Sequence, residues 1–224
     1  MAWEPAGKED AARARAMTVG TSLAFPGMAT VIVHAVASLD GFIADENDDV
    51  GPLFEWYFNG DMPITDEAGE RHGPFRVSKG SHEYVSSFWA RIGATIQGRH
   101  LFDLTNGWDA QPPAGEHLVV VSHRPKPTAW HPEADVPFFD NVAAAVAEAK
   151  RRAGDRVVAV CAGNVGGQAL ALGLVDEVAM DVVPVVFGKG KRFFGPLESQ
   201  QVLEDPSVVI QGDRVVHLRY RVRR

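Results

Sequence analysis

The chain has 224 residues, a formal net charge of −7 and a single cysteine. That length fits one generous domain with a tail and an insert. The acidic balance excludes a general nucleic-acid binder, which needs a basic face. The lone thiol, Cys161, excludes an internal disulfide and fits a reducing, cytoplasmic setting, and no apolar run reaches the roughly 18 residues that a membrane span needs.

In chain order, residues 1–28 read as an N-terminal extension. Their charges are mixed, and the mildly apolar stretch that follows is broken by Gly20, Pro26 and Gly27, which makes a poor secretory signal. The domain is expected over 29–224. Its first strand, Val31 to Ala37, contains His34, read as a packed histidine. The strand ends in Ser38-Leu39-Asp40-Gly41-Phe42-Ile43-Ala44. An acid at the carboxyl end of an apolar strand stands where open α/β sheets take ligands, so Asp40 is a candidate for substrate contact or proton transfer. The competing reading is an Asp-Gly turn whose carboxylate accepts from nearby N–H groups. Residues 45–49 are acidic but lack the alternating ligands, central glycine and distal glutamate of a calcium loop, and no metal site is expected. Residues of about 50–80 form a long insert in which Phe54, Trp56, Tyr57 and Phe58 crowd together. It reads as a lid whose Trp56 and Tyr57 stack on a flat substrate ring, or as a dimer contact.

A helix capped by Ser78 or Ser81 runs to about Ile92, with Tyr84, Val85, Phe88 and Trp89 on its core face. A strand from Ala94 to Gln97 then leads into Gly98-Arg99-His100. Glycine and two candidate cations at a strand's carboxyl end suit a phosphate, with a solvated arginine as the alternative. The strand from Leu118 to Val121 ends similarly, in Ser122-His123-Arg124, and two such junctions in one chain weigh more than either alone. A proline-rich connection, a short strand near 136–139 and a cap at Asp140 or Asn141 introduce an alanine-rich helix, Val142 to Arg152, ending before Gly154.

The stretch from Val157 to Gly195 organises the rest. An apolar strand, Val157 to Cys161, is followed by Ala162-Gly163-Asn164-Val165-Gly166-Gly167, without bulky side chains, and by a helix to about Leu172. Such a strand-turn-helix lets backbone N–H groups point at an anion, assisted by the positive end of the helix dipole. The spacing matches neither the dinucleotide fingerprint nor the phosphate loop, so a plain tight turn stands as the rival. A strand from Asp176 to Val186, interrupted by Pro184, leads to a cationic loop, Gly188 to Lys191. The chain closes on a hairpin around Gln211-Gly212-Asp213, whose second strand alternates Val216, Leu218, Tyr220 and Val222 as the buried set. Strands alternating with helices and ending in a hairpin imply an α/β fold: a mostly parallel sheet, an antiparallel C-terminal edge and helices on both faces.

Taken in order, Ser38 to Ala44, Gly98-Arg99-His100, Val119 to Ser122 and the run from Gly163 to Gly190 resemble the dihydrofolate reductase-like family. The branch is the one typified by the reductase domain of the riboflavin-biosynthesis deaminase/reductase. The resemblance spans about Thr30 to Arg223. It implies a three-layer fold, NADPH as cofactor, a small pyrimidine- or pteridine-like or carbonyl substrate, and a homodimer. It implies further that Gly98, Arg99 and His100 meet cofactor phosphates, that Ser122 and Arg124 lie near the adenosine end and favour a 2′-phosphate, and that Gly163, Asn164, Val165 and Gly166 line the pyrophosphate. Asp40 matches the substrate-side aspartate; to donate a proton at neutral pH its carboxyl would have to be raised by burial under the lid. Two departures stand out. Ala162-Gly163 replaces the family's usual pair of glycines, and the aromatic insert has no counterpart in the riboflavin enzyme, so substrate identity does not carry over. One cysteine cannot supply the paired zinc ligands of a deaminase, so no deaminase activity is expected. The rival from another class is a nucleotide-binding or sensing module without turnover.

Overall fold

The computed structural model of the protein describes residues 29–65 and 71–223, so the N-terminal extension lies outside the described residues. Twelve strands and four α-helices follow in the order β1 (Thr30–Ser38), β2 (Phe42–Ala44), β3 (Met62–Thr65), β4 (Arg71–Val77), α1 (Lys79–Ala90), β5 (Ile92–Gly98), α2 (Arg99–Thr105), β6 (His117–Val121), β7 (Phe138–Phe139), α3 (Val142–Ala153), β8 (Val157–Cys161), α4 (Asn164–Ala171), β9 (Glu177–Val183), β10 (Lys191–Arg192), β11 (Val208–Gln211) and β12 (Val216–Arg221). Eight strands form one sheet in the order β11-β12-β9-β1-β8-β5-β6-β7. From β9 to β7 every pairing is parallel, and in this sheet only the pairings of β12, with β9 and with β11, are antiparallel, as the hairpin predicts.

Alternation along each strand sends side chains to two cores. Val31, Val33 and Ala37 of β1 pack with Val142, Ala145, Val146 and Ala149 of α3 and Ala169 and Leu170 of α4. Ile32 and Val36 face the other way, toward Val85, Phe88 and Trp89 of α1. Phe102 of α2 joins Leu118 and Val120 in a smaller cluster beyond α1. The predicted cap of α3 is present, Asn141 Oδ1 accepting from the Ala144 N–H at 2.8 Å.

Three expectations need correction. The 50–80 insert is not a structureless lid: a 3-10 helix spans Gly51–Phe58, started by Pro52, and β3 pairs with β4. Trp56 and Tyr57 are only 1% and 7% exposed. Their rings stack on each other at 3.9 Å, and Tyr57 also meets Phe75 and Trp89, so these faces are spent on the core. Phe54 and Phe58 are the exposed aromatics of the insert. Second, Pro184 ends β9 instead of interrupting it. Third, the fully buried residue of β12 is His217, whereas Val216, Leu218 and Tyr220 are half-buried. A buried polar cluster on the α1 side, described below, accounts for this.

Candidate active site

The carboxyl ends of β1, β8, β5 and β6 lie side by side at one edge of the sheet. Chains leaving β1 and β5 run over the α1 and α2 face, whereas the chain leaving β8 enters α4 on the opposite face. Connections that diverge in this way open a crevice at the strand ends, the place where open α/β sheets bind ligands. Here β8 has such a divergence on both sides.

The turn after β8 is built from small residues because bulk has no room. Gly163 has φ of +96°, and its N–H donates to the Phe193 carbonyl at 2.6 Å. A Cβ on Gly166 would lie 3.0 Å from Val33 Cγ1, and one on Gly167 would lie 1.8 Å from the Phe194 carbonyl oxygen. Asn164, Val165 and Gly166 are the first three residues of α4, whose N–H groups have no carbonyl one turn back to bond. Asn164 uses its side-chain carbonyl to accept from Gln168 Nε2. Gly98, the N-cap of α2, faces this turn, and a Cβ there would lie 3.0 Å from Val165 Cγ2.

The cations are gathered but engaged. Arg99 Nε donates to Asp103 Oδ1 at 2.7 Å, and an Arg124 terminal nitrogen donates to Asp103 Oδ2 at 2.6 Å, so two guanidinium groups share one carboxylate. Their hydrogen bonds hold the Asp103 carboxyl below its ordinary value. His100 is turned outward, its side chain 67% exposed, and pairs with Asp48 at 2.8 Å. Lys191 approaches the same Asp48, and Lys189 pairs with Glu46, so the acidic turn and the cationic loop neutralise each other. The Ser122 hydroxyl donates to the Arg124 carbonyl and accepts from the Arg124 N–H, which shapes the turn that presents Arg124. Beside these groups an open hollow of about 680 Å³ is lined by Phe102, Asp103, Asn106, Trp130, His131 and Glu133 among others. Asp103 was absent from the sequence-based set, although its position four residues after Arg99 on a helix is the spacing of an ion pair.

Asp40 reaches a different result from the one a proton donor requires. It accepts from the Ser38 hydroxyl at 2.6 Å, the Phe187 N–H at 3.1 Å and the Gly188 N–H at 2.7 Å. The Ser38 bond, then the two backbone donors, hold its carboxyl below the usual aspartate value, outweighing what desolvation adds. No lid raises it. Asp40 clamps the 185–190 loop onto the end of β1.

A second polar cluster escaped the sequence reading. Asp181 of β9, nearly inaccessible, accepts from His34 Nε2 at 2.9 Å and from His217 Nδ1 at 2.6 Å, and His217 Nε2 meets the Ser81 hydroxyl at 2.9 Å. Burial alone would raise the Asp181 carboxyl; the two imidazoles opposite reverse the direction and hold it low. The signal in the sequence is an acid inside an otherwise apolar strand, which demands a buried partner. The Cys161 thiol is pushed up to about 12 by burial. Among the described residues no group of histidine, cysteine and acidic side chains could hold a metal ion.

The profile of the RibD C-terminal domain family matches residues 29–217. Among solved structures, a provisionally assigned riboflavin biosynthesis protein from Shewanella sp. PV-4 aligns with a TM-score of 0.59 at 21% identity, covering 87% of this chain and 99% of that one. A diaminohydroxyphosphoribosylaminopyrimidine deaminase/5-amino-6-(5-phosphoribosylamino)uracil reductase from Thermotoga maritima aligns with a TM-score of 0.57 at 15% identity, covering 88% and 57%. RibD from Acinetobacter baumannii aligns with a TM-score of 0.54 at 16% identity, covering 88% and 58%. The chain therefore spans a little over half the length of these last two. Identities this low carry the fold. No curated protein sequence is significantly similar to the chain.

Proposed function

Because the chain belongs to the RibD C-terminal domain family, we propose that it is an NADPH-dependent reductase of a small pyrimidine- or pteridine-like, or carbonyl, substrate. One observation carries the reading: the β5–α2 junction and the first turn of α4 meet at Gly98 and Val165, with the Arg99–Asp103–Arg124 group alongside. The donor set fits a dinucleotide. The first N–H groups of α4 suit one phosphate, and the two guanidinium groups suit another. NADPH, when bound, supplies a hydride. The residues of the chain hold and orient it.

Arg99 is tied to Asp103 and to the Pro125 carbonyl, whereas the Arg124 side chain is 63% exposed. Arg124 is therefore the better placed to leave Asp103 for a 2′-phosphate, with Asp103 as the competitor it must leave. The hollow beside Trp130 offers an aromatic wall to the adenine. His100, turned toward Asp48, contributes through the charge balance of the rim. Asp40 acts as an ionised acceptor that fixes the loop over the crevice and can receive an N–H of the substrate.

The test is titration with NADPH followed by nicotinamide fluorescence. Saturable binding is expected, with Arg124→Ala weakening NADPH about tenfold or more while NADH changes little, since a charge-assisted hydrogen bond contributes about 1.5–3 kcal/mol. Absence of binding at near-millimolar NADPH removes the reading. The donors that hold Asp40 ionised favour a second reading, a nucleotide-binding module without turnover, and binding without oxidation by any of a panel of pterins, pyrimidines and quinones selects it. Exposed Phe54 and Phe58 offer an apolar surface for a homodimer, and sedimentation of Phe58→Ser against the parent chain tests that assembly.

A further inference from the structure

With Asp40 held ionised, the reductase reading lacks a source for the proton that must follow the hydride. We propose that His34, held in place by Asp181, gives that proton to the substrate. The inference rests on the reductase reading and adds to it a catalytic residue and a positioning residue.

The placement is specific. His34 lies in β1 between β8 and β9, in register with Cys161 and Ala179. Its carbonyl accepts from the Ala162 N–H at 3.3 Å, so the residue is bonded to the turn that opens α4. Its ring faces the α1 side, edge-on to Phe88 at 5.0 Å. The His34 side chain is 16% exposed, whereas Asp181 is 3% and His217 is 0% exposed. In this cluster solvent reaches the His34 ring. Nε2 is taken by Asp181, and Nδ1 has no partner among the described residues. A carboxylate on one ring nitrogen fixes the tautomer and leaves the other nitrogen to exchange a proton.

Asp181 cannot turn away, because His217 holds its second oxygen and Ser81 holds His217. This Asp181–His217–Ser81 line has the order of a hydrolase triad, yet Ser81 and His217 are fully buried, so no ester can reach the hydroxyl. Its effect is to fix the carboxylate that orients His34. The groups packed around this cluster are Asp181 and Glu177 from β9, His217 and Arg219 from β12, Tyr84 from α1, Tyr57 from the 3-10 helix, its phenol raised by burial, and Cys161 from β8. Tyr84, pushed up to about 12 by burial, and Cys161, also about 12, stay neutral at working pH.

The step balances as follows. The cofactor of the proposed function, when bound, would supply a hydride, a proton with two electrons, for the carbon of a C=N or C=O bond. The Nδ1–H bond of protonated His34 breaks, and a bond from that hydrogen to the substrate nitrogen or oxygen forms. His34 is left neutral, with its Nε2–H still donating to Asp181.

The test uses the full chain with ¹⁵N-labelled histidine and His34→Gln, whose amide keeps a donor for Asp181. On addition of NADP⁺ at about 1 mM, the imidazole signals of His34 are expected to move while those of buried His217 stay put. NADPH oxidation by dihydrofolate, 5-aminouracil and phenanthrenequinone is then followed against pH. The parent rate is expected to fall as pH rises. His34→Gln is expected to lose that limb and about 100-fold or more in rate, the usual scale of general acid catalysis, with NADPH binding retained. Asp181→Asn is expected to displace the limb. Unmoved His34 signals in a protein that has bound NADP⁺ overturn the proposal and leave the cofactor reading standing. An unchanged rate and pH profile in His34→Gln, or cofactor binding with no acceptor reduced, does the same. Failure to bind NADP⁺ removes the cofactor reading and this proposal together.

Discussion

Gln97 and Asp181 are both buried on the α1 side of the sheet, and their polar atoms are treated in opposite ways. Asp181 has both oxygens matched by imidazoles, whereas neither the amide oxygen nor the amide nitrogen of Gln97 has a hydrogen-bond partner among the described residues. An unmatched buried amide costs roughly 1–3 kcal/mol, and replacing it by an apolar group of similar shape relieves that cost. Gln97→Met is therefore expected to raise stability by about 1 kcal/mol, read as a higher urea midpoint at unchanged slope. A lower midpoint would mean that the amide has a partner in solution. Asp40 belongs to the same scale. Its residue type and its place after β1 were visible in the sequence, but its role as a clamp was not, because the donors come from Phe187 and Gly188, far along the chain.

At the scale of elements, the first turn of α4 depends on close approach. The backbone of Phe194 lies where a Gly167 side chain would begin, and Gly195 is pressed against Asn164 in the same way. Gly167→Ala is expected to destabilise the fold by several kcal/mol or to push the 193–195 segment away, at the upper end of point-mutant effects. Thermal unfolding measures the first outcome and loss of NADPH binding the second. This junction was legible because a run of small residues between a strand and a helix has few other uses. The aromatic insert was misread for the opposite reason. Four neighbouring aromatics look alike in sequence, but in a 3-10 helix Trp56 and Tyr57 point inward while Phe54 and Phe58 point out. Strand β12 misled in a similar way: alternation locates two faces but cannot tell which is the more deeply covered when the polar residue, His217, is matched by Asp181.

For the molecule as a whole, the Asp181 cluster ties β1, β9, β12 and α1 together, so its protonation is a matter of global stability. A carboxyl held low in the folded state stabilises the protein at pH above its unfolded value, near 3.9, and that contribution is lost as pH falls toward the lower folded value. Acid unfolding of the parent chain is therefore expected to develop below about pH 4. In Asp181→Asn the buried imidazoles lose their anion. The expected cost at neutral pH is about 3–5 kcal/mol, and acid unfolding is expected to begin at a higher pH than in the parent chain. Circular dichroism against pH checks both, and an unchanged acid midpoint would show that the cluster is not what fails first. The order of the parallel strands and the terminal hairpin were readable from the spacing of apolar runs. The cross-sheet polar cluster was not, because its members stand far apart in the chain and meet only when β12 joins β9.

That same strand order bears on how the protein is made. β1, the first of the described strands to leave the ribosome, is flanked in the finished sheet by β8 and β9, which are translated much later. Until β8 has emerged Val31, Ile32 and Val33 have no neighbours to bond, and until β9 follows the nascent β1 keeps one open, sticky edge. Synthesis halted between β8 and β9 thus leaves β1 paired on one side only, its other edge a template for a stray strand until β9 arrives.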